Sequence, residues 1–234
     1  MSYTGVTING TDTLAQWGLI LLDDLVIGEA QLKETRVNVP GADGSLNMSY
    51  GLTDGEPVFE DRPITFTLFA SGLGWSNGVL THAKPKNETE VDEILGELQG
   101  RYHGREVDLI LPNDSTHYWH GTLSVGAKSK YNSGKIPISI KAFPYKLKTA
   151  VTERQLTIPS GGSTTVTLTN EGRRVTPTIT VNATTTITKG TSSWSVQSGT
   201  HVISGLYLDK GSTTIGISGT SGKTVKFAYQ EGRL

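Results

Sequence analysis

The chain changes character abruptly near residue 145, and this change constrains its fold more than any other feature. Residues 1–145 carry 11 basic and 18 acidic side chains, whereas residues 146–234 carry 10 basic and 4 acidic ones. Their net charges are therefore −7 and +6. Threonine also supplies 20 of the 86 residues that begin at Thr149. We predict two domains, 1–145 and 146–234, which meet in the segment around Pro144.

Composition excludes several classes of function. The sequence contains no cysteine, which rules out disulfides, thiolate metal sites and cysteine nucleophiles. A net charge of −1 argues against a dedicated nucleic-acid binder, which usually has a strongly basic surface. The first ten residues lack the pattern of a signal peptide, and no apolar run approaches the roughly 18 residues that span a bilayer. We therefore expect a soluble protein that is made in the cytoplasm.

The first domain is predicted to be mainly β with one helix. Asn9-Gly10 is typical of a tight turn after a short strand. The helix is expected to begin after Asn87, which can cap it together with Glu90. Its apolar face consists of Val91, Ile94, Leu95, Leu98 and Tyr102. The predicted strands are Val6–Ile8, Leu19–Leu22, Leu25–Ile27, Thr35–Val39, Pro63–Phe69, Glu106–Leu111, Tyr118–Val125 and Lys135–Ala142.

The second domain is predicted to be a small β-sandwich. Short alternating segments are separated by glycine, serine and asparagine clusters at a spacing of roughly ten residues, which is typical of that architecture. The predicted strands are Thr164–Leu168, Thr178–Val181, Thr184–Thr188, Ser193–Val196, His201–Leu208, Ser212–Ile217 and Thr224–Tyr229.

Three patterns suggest binding sites but are better explained otherwise. His117 and His120 are three apart in a predicted strand, so they point to opposite faces and do not readily share a metal ion. The stretch from Gly216 to Gly222 has one residue too many for a phosphate loop and leads into a strand. Trp194 suits either a sugar-stacking platform or a sandwich core, and we favour the core.

No residue set in the sequence predicts catalysis. There is no G-x-S-x-G string, and no histidine sits in a motif that pairs it with a serine. Adjacent carboxylates such as Asp23-Asp24 and Glu60-Asp61 are typical of solvated loops rather than of general acid–base pairs. We therefore predict that the protein is not an enzyme and has no cofactor or metal.

Seven short motifs occur in an order that resembles the distal tail proteins of long-tailed, non-contractile bacteriophages, or siphophages. The resemblance covers roughly residues 1–145 and is marked most clearly by the P-G-x-D-G turn, a following arginine and a late Pro-Tyr pair. The motifs are Ile8–Gly10, Trp17–Leu19, Val39–Leu46, Phe59–Ile64, Leu109–Asp114, Tyr118–Gly121 and Ala142–Tyr145.

This resemblance implies a structural virion protein of the tail tip, or baseplate hub. It implies a homo-hexameric ring, or two rings stacked as a dodecamer, built by a sandwich- or barrel-like first domain. The ring would join the tail tube protein to the tail-associated hub protein and, in some phages, to a receptor-binding protein. If the acidic side chains of residues 1–145 face the lumen, we expect DNA to pass through it without specific binding, and we expect no membrane partner. The second domain would be a galectin-like sandwich, although it is shorter than a complete one and lacks the sugar-binding cluster.

The resemblance also marks candidate interface residues. Asp43, between two glycines, suits either a shaped interface loop or an ordinary tight turn. The full candidate set is Pro40, Gly41, Asp43, Gly44, Arg62, Trp119, Gly121, Pro144 and Tyr145. Two other functions stay open: a tail tube protein of the same phages, which would stack into long tubes, and a carbohydrate-binding sandwich.

Overall fold

The computed structural model describes residues 4–49, 53, 55–71, 73–76, 79–82, 86–127 and 134–234. The chain divides into two compact units, Met1–Lys146 together with Leu234, and Leu147–Arg233. Strands make up 50% of the structure and helices 10%, so the predicted β-rich fold is confirmed.

The first unit is an antiparallel sheet with one long helix. The helices are α1 (Thr13–Trp17) and α2 (Glu88–Tyr102). The strands are β1 (Thr7–Ile8), β2 (Thr11–Asp12), β3 (Leu19–Leu21), β4 (Val26–Ile27), β5 (Arg36–Asn38), β6 (Ser45–Asn47), β7 (Arg62–Ala70), β8 (Leu73–Ser76), β9 (Val79–His82), β10 (Arg105–Ile110), β11 (His117–Val125) and β12 (Lys135–Ala142). Strand β13 (Lys146–Lys148) begins at the last residue of the continuous part of this unit. The sheet runs in the order β2-β1-β10-β11-β12-β7-β3, and β4 also pairs with β7.

Helix α2 covers one face of this sheet, as its apolar spacing predicts. Asn87 and Glu90 form a capping box in which each side chain accepts a hydrogen bond from the other's backbone N–H. The apolar face packs into the core with alternate residues of β7, β10, β11 and β12. The buried residues of the helix are Val91, Ile94, Leu98 and Tyr102.

The structure contains a second helix that the sequence analysis did not predict. Helix α1 has only five residues, too few for a helical period to be recognised against the background. Asp12 caps it, since its carboxylate accepts hydrogen bonds from the backbone N–H of Leu14 and Ala15. Gly18 ends it in the left-handed conformation, with φ of 67°. The capping residues Asp12 and Gly18 were therefore the sequence signal from which this helix could have been predicted.

The second unit is β-sandwich-like, as predicted. The strands are β14 (Thr152–Thr157), β15 (Ser163–Asn170), β16 (Thr178–Val181), β17 (Thr185–Lys189), β18 (Ser192–Val196), β19 (Gly199–Val202), β20 (Gly211–Gly219), β21 (Thr224–Tyr229) and β22 (Gly232–Arg233). One four-stranded sheet runs β14-β21-β16-β19 and the other β15-β20-β17-β18, and their inward side chains form a separate core.

Two details of the second unit differ from the prediction. Strand β14 was not predicted, because an edge strand with mostly exposed polar residues lacks an apolar alternation. The predicted strand 201–208 ends at Val202, and the chain turns before Leu206 and Leu208 enter the core. Apolar residues in that stretch thus reflect burial of a turn rather than a continuous strand. Trp194 is half-buried and packs against the core, as favoured.

Candidate functional site

The nine candidate residues lie in three places in the first unit. Pro40, Gly41, Asp43 and Gly44 lie in one turn, Arg62, Trp119 and Gly121 lie on neighbouring strands of the large sheet, and Pro144 and Tyr145 follow β12. The structure therefore brings together the members of each group without placing all nine in one pocket.

The first group lies in the turn of a β-hairpin. Strands β5 and β6 pair with each other, so that Val37 is opposite Leu46. Gly41 and Gly44 have φ of 82° and 75°, the left-handed region that glycine adopts most readily. Asp43 is exposed between them. The glycines therefore give the turn a defined shape that presents Asp43 to solvent.

This hairpin carries an unusual amount of exposed apolar surface. We call residues 36–48 the exposed hairpin. Four of its apolar side chains are about half exposed: Val37 (46%), Val39 (45%), Leu46 (55%) and Met48 (49%). A two-stranded hairpin that does not bury its side chains is marginally stable in water. Clustered apolar side chains on an exposed element are typical of a surface that another molecule covers.

The second group surrounds a buried arginine. Alternate residues of β7 point to the core, and Arg62 is the first of them, followed by Ile64. In the sheet register, Arg62 is opposite Ala142 and Ala142 is opposite Gly121. Because these neighbours have little or no side chain, there is room for the long Arg62 side chain beside them. The Arg62 Cζ lies 5.1 Å from the ring centroid of Trp119, within the range of a cation–π contact.

Gly121 is required here by the close approach of two strands. A Cβ atom at this position would lie 2.3 Å from the backbone oxygen of Lys141. Any other residue would therefore push β11 away from β12 beside Arg62. We call Arg62, Trp119, Gly121 and Ala142 the Arg62 cluster.

Arg62 is a largely buried cation, and one atom of its guanidinium is unsatisfied in the described part of the chain. The residue is only 9% exposed, and its Nε has no hydrogen-bond acceptor. Burial alone lowers the pKa of the Arg62 guanidinium below its ordinary value, and no carboxylate counteracts this effect. Leaving a buried N–H donor without an acceptor is unfavourable by about 1–3 kcal/mol, which the cation–π contact with Trp119 offsets in part.

The third group has a packing role. Pro144 and Tyr145 are both buried. The Tyr145 ring contacts Phe59 edge-on at 6.0 Å and Phe143 at 5.6 Å between centroids. Phe143, which was not among the candidates, is 41% exposed.

The two histidines lie on opposite faces of β11, as their spacing predicts. His117 is buried and its Nδ1 lies 3.0 Å from Asp114 Oδ1, whereas His120 is half exposed and its Nδ1 lies 2.8 Å from Asp108 Oδ1. Within the described ranges, no group of three or more acidic or histidine side chains could hold a metal ion. No helix of the described residues is long and apolar enough to cross a membrane.

Asp114 is the centre of a polar network that sequence reasoning missed. It pairs with Lys146 at 2.6 Å, in addition to the contact with His117. The hydrogen bonds from Lys146 and His117, helped by Thr116, hold the pKa of the Asp114 carboxyl well below its usual range. Lys146 is 32 residues away in the chain, so no local sequence motif predicts its pairing with Asp114.

The comparisons with known proteins agree with this architecture. No family model matches the sequence, and no curated protein matches it. Among solved structures, the fold is that of a phage distal tail protein. That protein is the Dit (gp 19.1) protein of phage SPP1, described as a paradigm of the hub adsorption apparatus in phages that infect Gram-positive bacteria. The similarity covers 100% of both chains, with a TM-score of 0.59 and 14% sequence identity, and it shows that the two proteins share a fold.

Proposed function

We propose that this chain is a structural protein of a bacteriophage tail, and that it acts as the distal tail protein. The observation that carries the proposal is the match to SPP1 Dit over the whole of both chains, which includes both units. The sequence motifs of the first domain resemble the same family independently of the structure. A structural role also agrees with a candidate site made of a hairpin and a buried cation rather than of reacting groups.

The proposed working form is a closed ring of six copies at the tail tip. In such a ring, each subunit presents one patch to a different patch on its neighbour. The exposed hairpin suits this role because its half-exposed Val37 and Leu46 would be buried by a neighbouring subunit. The edges of its strands could also pair with a strand of a neighbouring subunit and extend the sheet of that subunit. Exposed strand edges promote aggregation in many proteins, but in a ring they would form an ordered interface.

The proposed partners are the tail tube protein on one side of the ring and the hub protein on the other. A receptor-binding protein would attach where the phage has one, and the protein would be located in the virion. The first 145 residues carry a net charge of −7. Acidic side chains that face the bore would let DNA pass without binding, since affinity for phosphates depends on basic groups.

Negative-stain images of the purified full chain, combined with light scattering over a concentration series, test this proposal. We expect six-fold rings, single or in back-to-back pairs. Long stacked tubes would identify a tail tube protein instead. A monomer at every concentration would contradict a ring that forms from this chain alone, and glycan binding that depends on Trp194 would favour the carbohydrate-binding alternative.

A further inference from the structure

The exposed hairpin has one apolar face and one polar face. Val37 is opposite Leu46, and residues that are opposite each other in an antiparallel pair share a face. The backbone N–H of Met48 donates to the carbonyl oxygen of Thr35 at 2.8 Å, so the pairing continues one residue beyond β6. Because side chains alternate along a strand, Met48 lies on the same face as Leu46. The opposite face carries the polar residues Arg36, Asn38, Ser45 and Asn47.

Met48 is the residue of the apolar face that ordinary cellular chemistry can change. The chain contains no cysteine, and Met48 is its only methionine besides Met1. Met48 is 49% exposed, so a small oxidant in solution reaches it. Peroxides oxidise a thioether, whereas the hydrocarbon side chains of Val37 and Leu46 do not react in this way. Oxidation of this face in the unassembled chain is therefore expected at Met48.

We propose that Met48 is a redox-sensitive position that controls whether the hairpin can be buried against a second copy of the chain. A lone pair of the Met48 sulfur attacks one oxygen of hydrogen peroxide and the O–O bond breaks. The products are methionine sulfoxide and water, so the sulfur is oxidised by two electrons and the peroxide is reduced. This inference rests on the proposed ring, and it names a chemical change that regulates the formation of that ring.

The sulfoxide weakens association because it places a polar S=O group on the face that assembly buries. Burying a polar group without a hydrogen-bond donor is unfavourable, whereas the same group in the unassembled chain stays in contact with water. Oxidation therefore acts on assembly and not on the fold of the subunit. Assembly in turn protects Met48, because peroxide does not reach a buried thioether. Methionine sulfoxide reductases restore the thioether, so the change is reversible.

The test treats the purified full chain with hydrogen peroxide and confirms by peptide mass spectrometry that Met48 carries one added oxygen atom. Association constants are then measured by mass photometry, and thermal unfolding is measured at a dilution where all forms are monomers. Association of the oxidised chain should be about tenfold weaker or more, with an unchanged unfolding temperature. Treatment with the two methionine sulfoxide reductases, one for each epimer, should restore the original constant.

Two variants separate the oxidation of Met48 from other effects of peroxide. Met48→Leu conserves apolar volume, so it should associate as the reduced wild-type chain does and should not respond to peroxide. It keeps Met1, so it also controls for oxidation there. Met48→Gln places a polar side chain on the apolar face permanently, and it should associate as weakly as the oxidised chain without any peroxide.

The matched control adds Val202→Met to the Met48→Leu chain. Val202 is 68% exposed on β19 of the second unit, so this change supplies an accessible thioether outside the hairpin. Its oxidation, confirmed by mass spectrometry, should leave the association constant unchanged.

Three results would overturn this assignment. The chain oxidised at Met48 could associate as tightly as the reduced chain. Peroxide could weaken association of Met48→Leu as much as that of wild type, which would place the sensitive group elsewhere. Oxidation could lower the unfolding temperature of the monomer, which would give Met48 a role in the fold. A reduced wild-type chain that never associates would instead contradict the proposed ring, and this inference with it.

Discussion

The buried and half-buried charged residues of the first unit are stabilised in two different ways. Asp114 accepts from Lys146, His117 and Thr116, so its ionised form is supported within the chain. Arg62 has only the Trp119 ring among the described residues. The first arrangement stabilises the ionised carboxyl, whereas the second leaves one buried N–H donor of the guanidinium unsatisfied. Asp114 and Lys146 are 32 residues apart in the sequence, so their pairing could not be predicted from a local pattern.

The Asp114 network predicts a specific loss of stability in acid. Its pKa lies below the ordinary value of 3.8, so its contribution is complete above that value and is lost as the pH falls through the lower pKa of the folded protein. Asp114→Asn should lower the free energy of unfolding at pH 7 by about 1–2 kcal/mol. The free energy of unfolding of this variant should also depend less on pH below pH 4 than that of wild type.

Urea unfolding at several pH values, followed by tryptophan fluorescence, measures this effect. Asp23→Asn is the control, because Asp23 is exposed and makes no hydrogen bond or ion pair with any described residue. A variant whose stability runs parallel to that of wild type from pH 7 to pH 2 would show that the Asp114 contacts do not stabilise the folded state.

At the scale of elements, two equally clear apolar patterns differ in whether their apolar side chains are buried. The apolar spacing of α2 predicts a buried face, and Val91, Ile94 and Leu98 are buried. The alternation at 35–39 predicts a half-buried strand just as clearly, and β5 does form there. Yet Val37 remains 46% exposed, because none of the residues that the structure describes covers it. Periodicity indicates which face of an element is apolar. It does not show whether the surface that covers this face belongs to the same chain.

The hairpin makes a prediction at this scale. Val37→Thr keeps the shape of the side chain and its preference for strands but makes the exposed surface polar. We expect monomer stability to change by no more than about 0.5 kcal/mol, as is usual for a surface position. Association should weaken measurably in sedimentation velocity, because apolar area is no longer buried in the interface.

Val202→Thr provides the matched control. Val202 is 68% exposed on β19 of the second unit, so the chemical change and the strand context are the same. Weakening of equal size in both variants would mean that general surface polarity, rather than the exposed hairpin, controls association.

At the scale of the whole molecule, the β-rich fold could be predicted and its short and irregular parts could not. Long strands such as β7 and β12 and the helix α2 follow from periodicity, since each has a clear buried face. Helix α1 is defined by its capping residues rather than by an apolar period, and β14 is a polar strand at the edge of its sheet.

The candidate residues could be named from an ordered set of sequence motifs. That Arg62, Trp119 and Gly121 lie together could be seen only from the register of the sheet.

The central claim is that this chain closes into a ring of six copies, and native mass spectrometry tests it most directly. The account predicts a dominant species of six times the chain mass of 25.1 kDa, with or without a species of twelve chains. The masses should be independent of further increases in concentration once the ring is closed. A ladder of masses that grows without limit, or a chain that stays monomeric at high concentration, would contradict the account.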